Sequence, residues 1–272
     1  MTETDGGPAA EARTRVHVED RGPVRLLTLD GPRSRNAVGP EVYREVQARI
    51  VDAGTDPAVR AIVLTGAGGF FSSGGNVRAL RDSAGGTLAE ATAKTDGLNA
   101  MIKAIVDGPL PVVAAVEGGA AGAGAALALA CDLIVAAEGA TFTAAYVRVG
   151  LSPDGGITHF LRGALPRQMV MEMCLLGRPM PAARLAQAGV VNLLAADGAV
   201  LQAALELAGA LAAGPPNAIG RIRELVNAAP GNGLADHLEA EARAINLARF
   251  GAEAKEGLSA FLEKRRPDFS GL

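Results

Sequence analysis

The chain has 272 residues, 49% hydrophobic and 20% charged, which is typical of a globular protein with one large domain or a core with an appendage. A formal net charge of −3 argues against nucleic acid as the main partner, because such a partner requires a basic face. Cys131 and Cys174 lie in apolar stretches and are expected to be buried and reduced. With only these two cysteines, and three histidines far apart in sequence, we expect no metal site.

The chain shows no targeting or membrane-spanning pattern. Residues 1–14 are polar, lack the apolar segment of a secretory signal, and are predicted to form a disordered tail. The most apolar stretch, residues 110–137, is interrupted by Glu117 and Asp132, whereas a span requires about 20 apolar residues. We therefore expect a cytoplasmic protein without membrane association.

Short apolar strands alternate with helical patterns along the first two thirds of the chain. In chain order, strands are predicted at 15–19 and 24–29, a helix at 40–53, a strand at 61–65, a helical stretch at 77–81, a helix at 87–106, a strand at 111–116, an Ala/Leu-rich helix, and a strand at 133–136. Alternation of this kind indicates an α/β fold.

The pattern changes at about residue 214. Pro215-Pro216 interrupts the chain there, and only helices are predicted afterwards, at 218–228 and 234–264. We therefore predict a core over residues 15–213 and a helical region over residues 214–272.

Two glycine-rich loops each follow a predicted buried strand and lead into a helical segment. The first is TGAGGFFSSGGN at 65–76, in which Asn76 is a suitable N-cap, and the second is EGGAAGAGAALALACD at 117–132. Such loops place unpaired N–H groups at a helix start and allow a ligand carbonyl to approach the backbone. Tight turns would explain either loop alone, but two in succession favour ligand binding.

The loops do not match the common nucleotide or hydrolase motifs. Neither contains G-x-x-x-x-G-K-[ST], the second does not give G-x-G-x-x-G in register, and the chain has no G-x-S-x-G. Phosphate-loop and serine-hydrolase chemistry are therefore disfavoured.

Several segments together resemble the enoyl-CoA hydratase/isomerase (crotonase) family. They are PRSRNAVGPEVYREV at 32–46, VRAIVLTGAGGFFSSGGNV at 59–77, VEGGAAGAGAALALACDLIVAA at 116–137, YVRVGLSPDGG at 146–156 and LGRPMPAARLAQAGVVN at 176–192. The strings ALPRQ, NAIGRI and AFLEKR are similar to the branch of alternative-type oxepin-CoA hydrolases and isomerase-like enzymes. The resemblance covers nearly the whole chain after residue 15.

The resemblance implies a crotonase (ClpP-like) spiral of ββα units and a C-terminal helical region that forms trimers, or hexamers as dimers of trimers. It also implies an acyl-CoA thioester as substrate, with coenzyme A as part of the substrate and no further cofactor. The thioester oxygen would be bound by the N–H groups of Gly75 and Ala123. Alanine at the second position should serve, because only its N–H group is used.

The same resemblance implies contacts to coenzyme A from three segments of the chain. The residues at these positions are Arg33, Arg35, Ala37, Ser73, Gly74, Asn76, Val77, Phe261 and Lys264. For Lys264, a solvated helix charge is the alternative interpretation.

Hydratases of the family carry two catalytic glutamates, and this chain has Ala126 and Tyr146 in their places. Adding water to a double bond requires groups that move the proton of that water, so simple hydration is in doubt. Asp154, in SPDGG, falls where isomerases of the family carry their acid. The alternative role for Asp154 is an N-cap of the following helix.

We therefore expect Asp154 to remove a proton next to the thioester carbonyl and return it further along the acyl chain, while the two N–H groups stabilise the enolate. Burial among Val149, Leu151 and apolar acyl groups should raise the pKa of Asp154. Ala126, Tyr146 and Leu151 are expected to line the acyl pocket, and Tyr146 either donates a hydrogen bond there or only lines it.

Two other functions stay open at this point. One is a hydratase or CoA-ester ring hydrolase in which Asp154 or Tyr146 organises water. The other is a family member that binds coenzyme A without catalysing a reaction. The loss of both glutamates favours this function, whereas the retained loops and the retained acid argue against it.

Overall fold

The computed structural model describes residues 13–82 and 85–272. The disordered tail predicted for residues 1–14 therefore lies almost entirely outside the described residues. Two sheets and eleven α-helices are seen in the described ranges, and no helix there is long and apolar enough to cross a membrane.

The main sheet has six strands in the order β1-β2-β3-β4-β6-β9. Strands β1 (Arg15–Arg21) and β2 (Val24–Asp30) form an antiparallel hairpin, and β3 (Ala61–Gly66), β4 (Val112–Val116), β6 (Leu133–Ala137) and β9 (Leu193–Ala195) follow in parallel. All five residues of β4 are buried, and so are five of the six in β3, as expected for central parallel strands.

A smaller sheet has the order β5-β7-β8, with β5 (Gly119–Ala121), β7 (Thr141–Thr143) and β8 (Met180–Pro181). Strand β5 pairs in parallel with β7, which pairs antiparallel with β8. The sequence supports these strands only weakly because each has two or three residues.

The helices of the first two thirds of the chain are α1 (Pro40–Thr55), α2 (Val77–Asp82), α3 (Leu88–Asp107), α4 (Ala123–Leu129), α5 (Ile157–Ala164), α6 (Arg167–Leu176), α7 (Ala182–Gln187) and α8 (Val200–Ala212). Helices α1 and α3 pack against each other, and α8 packs on the main sheet. A reciprocal capping box of Thr87 and Glu90 starts α3, and the Asn76 side chain caps α2 as predicted.

After residue 214 the described chain is helical, with α9 (Pro216–Ala228), α10 (Leu234–Ala248) and α11 (Ala252–Glu263). The single helical stretch predicted for 234–264 is wrong, because Arg249–Gly251 interrupts it. Division into a core and a separate helical region stays a prediction. Two arginines join the two parts. Arg60 donates to the carbonyl oxygens of Gly214 (2.8 Å) and Phe269 (2.9 Å). Arg223 of α9 donates to the Asp132 carboxylate (2.8 Å).

Candidate active site

The two glycine loops lie side by side because they leave neighbouring parallel strands. Strand β3 leads into the first loop and β4 into the second, and carboxyl ends of adjacent parallel strands meet at one edge of a sheet. Backbone hydrogen bonds join the loops, from Phe71 N–H to the Gly119 carbonyl (3.1 Å) and from Ala121 N–H to the Ser72 carbonyl (2.9 Å). Their relative position is therefore fixed by main-chain bonds.

Gly74 is a point of close approach between the loops. Its φ of +83° lies in the left-handed region, and a Cβ added there would come 2.4 Å from the Ala121 carbonyl oxygen and 3.0 Å from the Ala123 nitrogen. Only glycine fits this position without movement of the backbone. The absence of a side chain leaves the Ala123 amide open on the side of the first loop.

The two N–H groups predicted to bind the thioester oxygen are both available. Within residues 13–82 and 85–272, neither the Gly75 nor the Ala123 N–H donates a hydrogen bond to another group of the chain. Ala123 is the first residue of α4, where the helix itself supplies no acceptor. Free N–H groups on two touching loops can donate hydrogen bonds to the carbonyl oxygen of a ligand. The convergence of these two N–H groups on one oxygen stays a prediction.

Ser72 fixes the first loop from inside. Its hydroxyl donates to the Asn36 carbonyl (2.8 Å) and accepts from the Gly74 N–H (3.2 Å), and the residue is fully buried. A Cβ added at Gly124 would lie 2.7 Å from the Ser72 hydroxyl, so α4 packs directly on this serine. Ser72 is thus a structural residue of the site.

The structure brings two of the predicted CoA-contact segments together. Val38 N–H donates to the Gly74 carbonyl (2.8 Å), Ser73 N–H donates to the Arg35 carbonyl (2.8 Å), and the Ser73 hydroxyl donates to the Ser34 carbonyl (2.8 Å). Arg33, Arg35 and Val77 are exposed, and Ala37 and Asn76 are half-buried. The segments around Arg33–Ala37 and Ser73–Val77 therefore form one continuous surface beside the loops.

Asn36 is a structural residue of the candidate site that the sequence did not reveal. It is fully buried with φ +55°, its side-chain oxygen accepts from the Gly31 N–H (2.8 Å), and its amide donates to the carbonyls of Ala67 (2.8 Å) and Phe70 (2.6 Å). It binds the segment at 31–38 to the first glycine loop. A lone asparagine after an arginine gives no pattern that reveals such a role.

Phe261 and Lys264 lie at the end of α11 and are exposed, Phe261 by 81%. Lys264 adopts a left-handed conformation (φ +56°) as the C-cap of that helix. Their contact with the nucleotide stays a prediction.

Asp154 lies half-buried in the segment between the 3₁₀ turn Ala145–Val149 and α5, and its carboxyl group is bound by Tyr146. The Tyr146 hydroxyl donates to the Asp154 Oδ1 at 2.9 Å. Burial raises the pKa of Asp154, and the hydrogen bond from Tyr146 opposes that rise by stabilising the ionised form. A carboxyl group with a raised pKa is a better base than a solvated one.

Asp154 does not cap α5. The N-cap of this helix is Gly156, without a side-chain hydrogen bond, and the Ile157 N–H donates to the Asp154 carbonyl (3.4 Å) rather than to its carboxyl group. The alternative role considered for Asp154 is therefore wrong.

Ala126 lies against the segment that carries the acid. It is fully buried, and a Cβ added at Gly155 would come 3.0 Å from the Ala126 Cβ and 3.4 Å from the Leu98 Cδ2. Gly155 has φ +60°, so its conformation also favours glycine. The space beside Ala126 is thus filled by the backbone that positions Asp154.

Tyr43 is a second aromatic neighbour of the acid that sequence reasoning did not find. It is 8% exposed on α1, its ring lies 3.7 Å from a Cβ built on Gly97, and burial together with the Asp154 carboxylate raises its pKa to about 12. The chain contains only two tyrosines, Tyr43 and Tyr146, and both are near Asp154. The position of Tyr43 depends on the packing of α1 on α3, which the local sequence does not specify.

The expected enclosure of Asp154 by Val149 and Leu151 is not seen. These side chains expose 51% and 49% of their surface. The pKa of Asp154 is raised, as predicted. The neighbours of its carboxyl group, however, include Tyr146 and Tyr43 rather than buried side chains of Val149 and Leu151.

No group of three or more histidine, cysteine, aspartate or glutamate side chains in the described ranges could hold a metal ion. Cys131 is buried as expected and burial raises the pKa of its thiol, whereas Cys174 is only half-buried.

Comparison with known proteins assigns the chain to one family. The family model for enoyl-CoA hydratase/isomerase matches residues 19–271. The chain is 34% identical over 256 residues to a 1,2-epoxyphenylacetyl-CoA isomerase of Escherichia coli, covering 94% of this chain and 97% of the relative. It is 37% identical over 246 residues to a probable enoyl-CoA hydratase of Rhodobacter capsulatus, covering 90% and 94%.

Comparison with solved structures gives the same family. The crystal structure of an enoyl-CoA hydratase from Polaromonas sp. JS666 superposes with a TM-score of 0.91 at 40% identity, covering 93% of this chain and 98% of the other. A putative enoyl-CoA hydratase from Streptomyces coelicolor gives a TM-score of 0.90 at 32% identity, covering 99% and 98%. The chain belongs to the enoyl-CoA hydratase/isomerase (crotonase) family, and the crotonase fold predicted from the sequence is confirmed.

Proposed function

We propose that the protein moves the double bond of an enoyl-CoA through a thioester enolate, with Asp154 as the acid and base. The observation that carries the proposal is the half-buried Asp154 carboxyl group held by Tyr146, in a site where the two hydratase glutamate positions are Ala126 and Tyr146. The name of the Escherichia coli relative, an isomerase of an acyl-CoA, agrees with this chemistry.

In the proposed reaction, the N–H groups of Gly75 and Ala123 bind the thioester oxygen. They stabilise the enolate more than the neutral carbonyl, and one such donor contributes roughly 3 kcal/mol to lowering the barrier. The acidic proton next to the carbonyl passes to Asp154 and returns at a carbon further along the acyl group. Coenzyme A enters as part of the substrate, and the proposal needs no other cofactor.

Arg33, Arg35, Ala37, Ser73, Gly74, Asn76 and Val77 are proposed to contact coenzyme A, with Phe261 and Lys264 contacting its nucleotide. Support comes from the hydrogen bonds that join the first two segments beside the free amides. Tyr146 and Leu151 are proposed to line the acyl pocket, whereas Ala126, expected there as well, is fully buried against Gly155. The branch of oxepin-CoA hydrolases and isomerase-like enzymes, and a cytoplasmic location, belong to the same proposal.

The test is a spectroscopic assay of the purified protein with a 3-enoyl-CoA and with a 2-enoyl-CoA. Isomerisation of the first without water addition is the expected outcome, and Asp154→Asn should lower kcat by at least about 1,000-fold while leaving CoA-ester affinity unchanged, because it removes the base but keeps the volume. Asp30→Asn, at an exposed aspartate bonded to His17, is the matched control and should behave as wild type.

Other outcomes distinguish the alternatives. Water addition to the 2-enoyl-CoA would identify a hydratase, a function that the name of the Rhodobacter relative favours. Binding without turnover would identify a family member without chemistry. Normal turnover of Asp154→Asn would show that Asp154 is not the base.

We also propose that the chain assembles as a homotrimer or homohexamer through its C-terminal helical region. Helix α10 has four exposed large apolar side chains. Three of them support this proposal, Leu234 (77%), Leu238 (55%) and Ile245 (63%). At 100° per residue they fall within about 40° of one another, which makes a continuous apolar stripe.

A further inference from the structure

The Asp154 carboxylate is held at one oxygen only. Oδ1 accepts the Tyr146 hydroxyl at 2.9 Å, and the same hydroxyl lies 3.4 Å from the Asp154 carbonyl oxygen. No other residue within 13–82 and 85–272 donates a hydrogen bond to Oδ2. One oxygen is therefore bound by a neighbouring side chain, and the other is left for a further partner.

Tyr146 is itself held by the backbone around it. Its carbonyl accepts the N–H groups of Gly150 and Leu151, which closes the 3₁₀ turn Ala145–Val149. On the other side, its ring carbon Cζ lies 3.9 Å from a Cβ built on Gly122, the residue before the Ala123 amide. Tyr146 thus connects the proposed acid to the loop that carries one of the oxyanion donors.

We propose, on the basis of the function proposed above, that Tyr146 is a positioning residue that binds Asp154 through Oδ1 so that Oδ2 alone exchanges the substrate proton. The C–H bond next to the thioester carbonyl breaks, its proton bonds to Oδ2, and its electron pair enters the enolate. The Oδ2–H bond then breaks and a new C–H bond forms further along the acyl group. The steps balance without an oxidant, reductant or second substrate.

Tyr146 keeps its own proton throughout this cycle. Burial and the neighbouring Asp154 carboxylate raise the pKa of Tyr146 well above its ordinary value, so the phenol stays a neutral donor. Because the hydrogen bond favours the ionised carboxylate, its removal should raise the pKa of Asp154. Tyr146→Phe should therefore move the acid limb of kcat/KM to higher pH by about one pH unit.

The Asp154 titration can be followed without turnover. Aspartate labelled with ¹³C at the side-chain carboxyl gives an NMR signal for Asp154 that is identified by its loss in Asp154→Asn. In Tyr146→Phe this signal should titrate about one pH unit higher than in the wild type. Tyr43→Phe is the matched control, since Tyr43 is the other tyrosine near the carboxylate but donates no hydrogen bond to it, and its Asp154 titration should stay at the wild-type pH.

An unchanged Asp154 titration in Tyr146→Phe would overturn the positioning role. If that variant does not fold, 3-fluorotyrosine incorporated at both tyrosines provides a second measurement, because a more acidic phenol is a stronger donor and should lower the Asp154 titration. An unchanged signal there would also overturn the proposal. Normal turnover of Asp154→Asn would instead contradict the proposed function itself, so the two failures are distinguishable.

Discussion

At the scale of single residues, the site depends on glycines whose missing side chains leave space for neighbouring backbone. Gly74 combines a left-handed φ of +83° with contacts of 2.4 and 3.0 Å from its Cβ position to Ala121 and Ala123. Gly69, in the same loop, has a similar φ of +74° but open space around its Cβ position. Substitutions at Gly69 and Gly74 therefore distinguish the effect of backbone strain from the effect of a side chain that fills the space between the loops.

The left-handed conformation alone should cost Gly74→Ala and Gly69→Ala each about 1–2 kcal/mol of stability. Gly74→Ala should lose further stability, because its methyl group displaces the loop that carries the Ala123 amide. For the same reason it should lower kcat/KM at least about 100-fold. Urea unfolding and steady-state kinetics of both variants check this. Equal kcat/KM values for the two variants would show that Gly74 does not shape the oxyanion site.

The sequence identified the two glycine loops of the candidate site because glycine-rich segments after buried strands leave a readable pattern. Gly75, Ala123 and Asp154 were assigned through a family resemblance, and the structure brings the two loops together and places Tyr146 on the acid. Asn36 and Tyr43 were not found, because their roles arise from contacts between segments far apart in the chain. The catalytic roles themselves stay predictions until they are measured.

At the scale of secondary-structure elements, Arg223 holds α9 to two other elements. It is 8% exposed, its Nε bonds Asp132 Oδ1 (2.8 Å), and its guanidinium donates to the carbonyls of Ile105 (2.9 Å) and Gly108 at the end of α3. Asp132 in turn accepts the Val112 N–H with its other oxygen (2.7 Å). One side chain thus satisfies a carboxylate and the carbonyl end of a helix.

Arg223→Leu should destabilise the protein by about 3–5 kcal/mol, because it leaves a partly buried carboxylate and helix carbonyls without partners. Arg184→Leu is the control: it removes an equally well-formed pair with Glu172, but that pair is exposed (47% and 42%) and should cost no more than about 1 kcal/mol. Urea unfolding of both variants gives the comparison. Similar losses would show that burial does not strengthen the Arg223 contacts.

Element prediction succeeded where a segment carries its own signal. The buried runs of β2, β3, β4 and β6 and the helix α1 with its apolar Val42, Val46 and Ile50 are seen where expected. Strands β5 and β9 have three residues each and depend on pairing with distant partners, so periodicity cannot reveal them. The turn at Arg249–Gly251 was missed because the apolar spacing continues across it.

At the scale of the whole molecule, the apolar stripe of α10 predicts self-association. An exposed contiguous apolar surface on a folded chain usually marks an interface. A chain of 27.5 kDa should therefore give three or six times that mass by light scattering coupled to size-exclusion chromatography. Leu238→Glu should lower this mass, because a charge in an apolar contact is costly to bury.

Glu239→Gln is the matched control for this experiment. Glu239 is exposed on α10 but lies about 100° or more from the residues of the stripe. Its substitution should leave the mass unchanged. A wild-type protein that elutes as a single chain would contradict the proposed assembly.

The close contact between Ala126 and Gly155 couples the helix after the second glycine loop to the segment that presents the acid. A side chain added at 155 would come 3.0 Å from the Ala126 Cβ, and Ala126 is fully buried. A longer side chain at 126 is therefore expected to displace the Asp154 segment, so one substitution in this chain would change the volume of the site and the position of its carboxyl group together.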